Sequence, residues 1–285
     1  LLLDASSATR LIGDNEGDIM AKFHWLLSST ALVNLIAQPL AAADYEVNAP
    51  VPGPKPAVSE VNSKFDVRWN SMFGIDSVSA VGSVSVPVAY SWGAQFDGML
   101  GVVDDEFAGG AGAHLFWRDP DTALLGLYGE FSHAEADGGG DQTRVGAEAE
   151  FYLDRVMLAG LAGYQFGDLG EGFFSKTSLS YFPDDNLRLY VQHKYLPGDV
   201  DHIGSIGGEW LMPVHDNSVS LFGEASVSDD DVGGQIGMRI YFGPQKPLID
   251  RMKEDDPTDH FDLFMAAAAS AVDGAKKGAE EIEPE

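Results

Sequence analysis

From residue 65 to residue 242 apolar and polar side chains alternate with period two, in segments of about ten residues divided by turn-forming residues. In 144–153, Val145, Ala147, Ala149, Phe151 and Leu153 form one face, and Arg144, Gly146, Glu148, Glu150 and Tyr152 form the other. Further along, Leu125, Leu127 and Phe131 oppose Tyr128 and Glu130. Leu187, Leu189, Val191 and Tyr195 oppose Arg188, Tyr190, Gln192 and Lys194. About ten residues is the length a tilted strand needs to cross a bilayer. A soluble sandwich shows the same alternation but rarely carries so many charges on one parity of a strand.

The connections are of two kinds, and the kinds alternate. Tight ones with turn chemistry fall at 89–92, 119–122, 154–155, 183–186 and 213–217; looser polar ones fall at 104–106, 134–141, 168–172, 196–202 and 228–231. Strands are therefore expected near 78–88, 93–103, 107–118, 122–133, 143–153, 156–167, 173–182, 187–196, 203–213, 218–228 and 232–242. An even number is needed if both chain ends are to lie on one side of the membrane, and 65–73 supplies the remaining strand. The pattern predicts an all-β fold, a transmembrane antiparallel up-and-down β-barrel of about 12 strands. Aromatic residues crowd the strand ends: Trp92, Trp117, Phe151, Tyr181 and Phe242 near the tight turns, and Phe73, Phe131, Phe173 and Tyr195 near the loose ones. Two interfacial girdles account for that placement.

In the last strand Val232, Ile236, Met238, Ile240 and Phe242 share one face. Its end resembles the C-terminal signal read by the outer-membrane insertion machinery of Gram-negative bacteria, with Gln235, Gly237, Ile240 and Phe242 in the four places. Outer-membrane lipid and, during insertion, the barrel-assembly machinery are the partners this implies.

At the front, residues 20–43 carry a basic start, an apolar stretch, Pro39 and Ala41-Ala42-Ala43, the form of a secretory signal cleaved before Asp44. Residues 1–19 show no period and are expected to be translated upstream sequence. The expected organisation is upstream residues plus signal peptide over 1–43, a Pro-rich periplasmic linker over 44–64, the barrel over 65–243 and a periplasmic tail over 244–285. Within that tail 261–279 is Ala-rich and could form a short helix.

Charge and composition narrow the function. With 17 Lys and Arg against 45 Asp and Glu the formal charge is -28, so the basic footprint of a nucleic-acid-binding protein is missing. There is no Cys, hence no disulfide framework, thiolate metal site or Cys nucleophile. Outside the N-terminal stretch no apolar run approaches the length of a membrane helix, a test that leaves barrels untouched.

The pieces GAQFDG (93–98), HLFWRDP (114–120), YFPDDNLR (181–188) and YFGPQKPLIDR (241–251), through DDP at 255–257, resemble those of a porin-like family of alphaproteobacterial outer-membrane proteins. The likeness covers about residues 65–257. It implies the barrel and the bacterial outer membrane, and brings no catalytic or ligand residues with it.

Candidate chemistry follows from side-chain type and parity. The six His residues beyond position 43 have no dense metal-ligand spacing, so neither a metal site nor a cofactor is expected. Acidic loop tips at 104–106, 137–141 and 229–231 lack the spacing of known Ca²⁺ loops and read as solubilising charge. The most enzyme-like cluster is Asp199, Asp201 and His202 with Ser205 close by, the basis of a hydrolase alternative. The inward parity carries Arg118, Glu130, Arg144, Glu148, Glu150, Lys176, Arg188, Lys194, Glu209, Glu224 and Arg239. Charges of both signs in an interior must be hydrated or paired, so the lumen is either a wet channel or a wall knitted by ion pairs. The leading expectation is a narrow porin-like channel for small solutes or ions, and no enzyme. The alternatives are a structural or loop-mediated interaction barrel without conductance, and the hydrolase.

Overall fold

The computed structural model describes residues 55–72, 75–135, 140–168, 170–197, 202–214, 218–228 and 232–258, all within one compact unit. The signal peptide, the first part of the linker and the 261–279 segment lie outside the described residues. So do Phe73, Asp199 and Asp201.

Twelve strands follow the chain in order: β1 Asn62–Met72, β2 Ile75–Ala89, β3 Trp92–Val103, β4 Glu106–Asp119, β5 Ala123–Ala134 and β6 Gly140–Leu153. They continue as β7 Val156–Gly167, β8 Gly172–Asp184, β9 Leu187–Tyr195, β10 His202–Leu211, β11 Val219–Val227 and β12 Val232–Phe242. Each pairs antiparallel with its neighbours, and β12 returns to β1 to close the barrel. Closure leaves no unpaired strand edge, which a sheet in hydrocarbon requires. At the seam the register runs from Ser63 opposite Phe242 to Ser71 opposite Gly234. The first strand thus begins three residues before the alternation suggested, because Asn62 and Lys64 continue the inward parity.

The two parities separate as the pattern requires. Leu127, Ile206 and Ile236 point outward and are each more than 60% exposed, part of an apolar band far larger than a water-soluble surface carries. Trp92 and Trp117 face each other across β3 and β4 at the tight-turn end, and Phe151, Tyr181, Trp210 and Phe242 stand outward at that same end. Phe131 and Phe173 stand outward at the other. These are the two girdles.

Two register shifts fall at prolines, between Pro87 and Ala89 and around Pro183, where a missing N–H would break a regular ladder. One loop differs from expectation: β3 and β4 are joined through Asp104 and Asp105, both at positive φ (46° and 71°), a two-residue hairpin as short as those at the opposite end. Its acidic residues serve the backbone turn.

The larger departure concerns the chain ends. Residues 244–258 are no free tail: after β12 the chain turns back at Gly243 (φ 119°) and forms a helix, α1, Leu248–Glu254, seated in the tight-turn mouth. The end of the linker joins it, with the Ala57 N–H donating to the Tyr90 carbonyl and the Ser59 N–H to that of Glu254. Sequence pattern missed this because seven helical residues hold too few turns for a visible period.

Phe242 is half exposed on the outer face at the seam, opposite Ser63. Phe242→Ala is expected to reduce the assembled outer-membrane fraction several-fold, measured as heat-modifiable barrel in envelope preparations. An undiminished fraction would show that Phe242 does not govern assembly.

Candidate functional site

The barrel interior has an apolar end and two polar halves. At the tight-turn end the inward parity turns apolar: Phe116, Leu124, Tyr152, Met157, Phe182 and Leu211 form a ring closed from above by Val58 and Leu248, with Ile249 and Met252 packed against it. Leu248 is fully buried, and its N–H lies 3.3 Å from the Asn186 side-chain oxygen. Charged tethers surround this apolar stopper. Lys246 Nζ reaches Glu254 (2.9 Å), Asp255 (2.8 Å) and Ser59 Oγ (2.8 Å), Lys55 Nζ reaches Glu254 (2.6 Å), and Lys253 donates to the Asp154 carbonyl (2.6 Å).

Partial burial alone would push the Glu254 carboxyl up. The hydrogen bonds from Lys55 and Lys246 outweigh it and hold Glu254 below its ordinary value, while Glu254 in turn raises Lys55. Asp255 moves the other way, burial prevailing over its bond from Lys246. A depressed Glu254 contributes stability that is present at neutral pH and lost on acidification through its folded pKa. A raised Asp255 contributes in the opposite direction, so acidification acts on the plug with opposed signs through these two groups.

Along β3 to β7 the inward wall is knitted. The His114 ring bridges Asp97 (Nε2 to Oδ2, 3.0 Å) and Glu148 (Nδ1 to Oε2, 2.8 Å). The Tyr128 hydroxyl donates to Glu130, and Tyr152 donates to Glu150 at 2.7 Å. Arg144 donates from Nε to Gln165 (3.1 Å) with its guanidinium over Phe174 (5.4 Å), and Nη1 stands 3.9 Å from Glu130. Arg118 donates to the Ala57 carbonyl and Glu150 accepts the Thr258 N–H, which ties the plug into this wall.

The opposite half, β8 to β12 with β1, is arranged differently. At the seam Asp66 accepts from Arg239 Nε and Nη2, both at 2.6 Å, and from Arg68 (2.7 Å); Arg239 Nη1 donates onward to Glu209 (3.1 Å), which also accepts from Ser220 and Tyr241. The ring of Phe222 lies beneath Arg68 and Arg239 and occupies the space over Gly237, where an added Cβ would come 2.3 Å from the ring. Gly237 of the terminal strand is therefore required by packing within the lumen. Likewise Tyr190 covers Gly207 and donates to Glu224 at 2.9 Å.

Between this network, β8, β9 and the plug lies a cavity of about 80 Å³, large enough for water. Seven Lys and Arg side chains line it, against Glu209, Glu224 and Asp256. A chain whose formal charge is -28 has gathered net positive charge at the open part of its interior.

Among the residues expected inside, Glu130, Arg144, Glu148 and Glu150 belong with Arg118 to the knitted wall. Lys176, Arg188, Lys194, Glu209, Glu224 and Arg239 line the cavity. Lys64, Asp66, Arg68 and Asp97 share the lumen with them, and their strand parity alone would have placed them there. Arg251 and Asp256 also reach the cavity, from a segment with no readable period.

Of the hydrolase cluster, His202 and Ser205 are described, and they do not meet. His202 is exposed outside the barrel, where its Nδ1 stands 3.0 Å from His193 Nε2, while Ser205 faces the lumen and bonds Ser226. Three residues apart on a strand put the two on opposite faces. No three His, Asp or Glu side chains among the described residues are grouped to hold a metal ion.

No protein-family model matches the chain, and no curated protein matches it. Solved barrels do. The KdgM porin, alone and in complex with disordered oligogalacturonate, aligns with a TM-score of 0.52 at 9% identity, over 63% of this chain and 99% of that one. An outer membrane channel from Pseudomonas putida gives 0.48 at 9% identity, over 70% and 100% of the two chains. The outer membrane phospholipase A from Escherichia coli gives 0.44 at 10% identity, over 67% and 98%. The likeness to the porin is one of fold, and the two lower scores carry no argument.

Proposed function

We propose that the protein is a narrow porin-like channel of the bacterial outer membrane, passing small solutes or ions. The observation that carries this reading is the charged cavity inside a barrel whose outside is an apolar band with aromatic girdles. A barrel built only as a membrane anchor has no need of an unfilled, charged interior, since a satisfied or apolar one is less costly.

The tight turns, the plug and both chain ends face the periplasm, the loose loops face outside, and the end of β12 is recognised during insertion. The fragments from GAQFDG to the DDP at 255–257 support placing the chain in the porin-like family of alphaproteobacterial outer-membrane proteins. Likeness in fold to a porin that holds an oligogalacturonate is in keeping with a solute path.

Planar-bilayer recording of the refolded full chain tests the proposal. Small, discrete conductance steps are expected, below those of an open barrel of this strand number because the plug and the knitted wall fill much of the bore. Correctly folded protein without conductance would overturn the channel and leave a structural barrel acting through its loops.

A further inference from the structure

On the outer surface one side-chain pair stands apart from the chemistry of the lumen. His193 on β9 and His202 on β10 are diagonal neighbours across the ladder, since the direct partner of His202 is Tyr195 and that of His193 is Gly204. Both are exposed, and His193 Nε2 lies 3.0 Å from His202 Nδ1 with the ring centroids 5.2 Å apart. Their level is the edge of the apolar band. One row closer to the tight turns Leu179, Val191 and Ile206 stand outward side by side, whereas the row of His193 carries Thr177 and Gly204. The pair therefore meets water at the loose-loop girdle, where the rings of Phe173 and Tyr195 are 6.0 Å apart.

The separation is that of two ligands of one ion. Imidazole nitrogens about 2.0–2.1 Å from a shared metal stand about 2.9–3.4 Å apart between square-planar and tetrahedral angles. A pair at 3.0 Å needs only small ring rotations to converge on an ion instead of on a shared proton. In the metal-free pair one nitrogen donates and the other accepts; with metal bound, the donor ring carries its proton on its other nitrogen, so the ion meets two lone pairs. Tyr195 packs against His202 with centroids 5.2 Å apart, which limits the turning of that ring. Gly204 brings no side chain over His193, and even a Cβ there would meet nothing closer than 3.9 Å. Among the described residues no third His, Asp or Glu joins the pair, and the open side leaves room for water to complete the coordination.

We propose that His193 and His202 form a binding site for a divalent transition-metal ion of the class imidazole prefers, Zn²⁺, Ni²⁺ or Cu²⁺. The ion clips β9 to β10 where the one strand ends and the other begins. Nitrogen ligands set this site apart from the acidic loop tips, whose oxygens suit hard cations. It is independent of the channel reading, because it lies on the outer face and needs no open lumen.

The test is calorimetric titration of the untagged, refolded full chain in neutral detergent with Ni²⁺ and, separately, Zn²⁺. Millimolar Mg²⁺ is present throughout, so that carboxylate oxygens are already occupied by a hard cation. Saturable binding of at least one of the two ions is expected, weakened tenfold or more in His193→Ala and in His202→Ala. It should be unchanged in His133→Ala, which removes the exposed imidazole paired with Asp141 between β5 and β6. No saturable binding, undiminished affinity in either His193→Ala or His202→Ala with its barrel intact by heat-modifiability, or an equal loss in His133→Ala overturns the site. A barrel that binds the ion without conducting sinks the channel and keeps the site. A conducting barrel that binds neither ion does the opposite.

Discussion

Asp66→Ala should destabilise the barrel by about 3–5 kcal/mol, the scale on which removing one partner of a buried ion pair acts. Asp66 is 1% exposed and accepts three charge-assisted hydrogen bonds, two from Arg239 across the β1–β12 seam and one from Arg68. Without it two buried guanidinium groups lose their shared carboxylate, while Arg239 keeps its bond to Glu209. The seam joins residues 173 apart in sequence, so nothing local compensates. The expected measurement is a large drop in the urea midpoint of the refolded protein in lipid vesicles. An unchanged midpoint in Asp66→Ala would show that water in the lumen screens the cluster and that the pair does not hold the seam.

Release of the plug should raise conductance several-fold. In Leu248→Asp a carboxylate would replace a fully buried side chain among Phe182, Leu211 and Tyr241, a position that cannot hydrate it without moving α1 out of the mouth. Ending the chain after Gly243 tests the same point by deletion, since β12 is complete and all twelve strand pairings remain. Both variants should retain heat-modifiable barrels and show larger steps in planar bilayers. Ending the chain after Thr258 should leave conductance near that of the full chain, because the plug and its bond to Glu150 are kept. Equal conductance in all four proteins would place the ion path away from the plug.

Much of the architecture is legible in the sequence. Val145 to Leu153 against Arg144 to Tyr152 is a local alternation, and a strand has only two faces, so parity assigns each side chain to lipid or lumen with no knowledge of its neighbours. Strand number followed from the same repeat, and the tight-turn girdle from the position of aromatics such as Trp117 and Phe151. Parity also contained what separates His202 from Ser205, although proximity in sequence suggested a cluster.

Partnership was not legible. That Arg239 meets Asp66 and that His114 bridges Asp97 and Glu148 depend on closure, inter-strand register and side-chain reach, none of which a periodicity encodes. The question of a wet or a knitted lumen consequently had no answer in the sequence: the structure knits the β3–β7 wall and leaves its cavity against β8–β12, and only the three-dimensional sorting of charges decides which residues fall in each. The plug lay further out of reach, because α1 is too short to show a helical period and its place is fixed by an apolar ring drawn from six different strands. Sequence determined which face each strand residue takes, since alternation is a property of the chain. Tertiary structure decided what each inward residue touches, since contact is a property of the closed barrel.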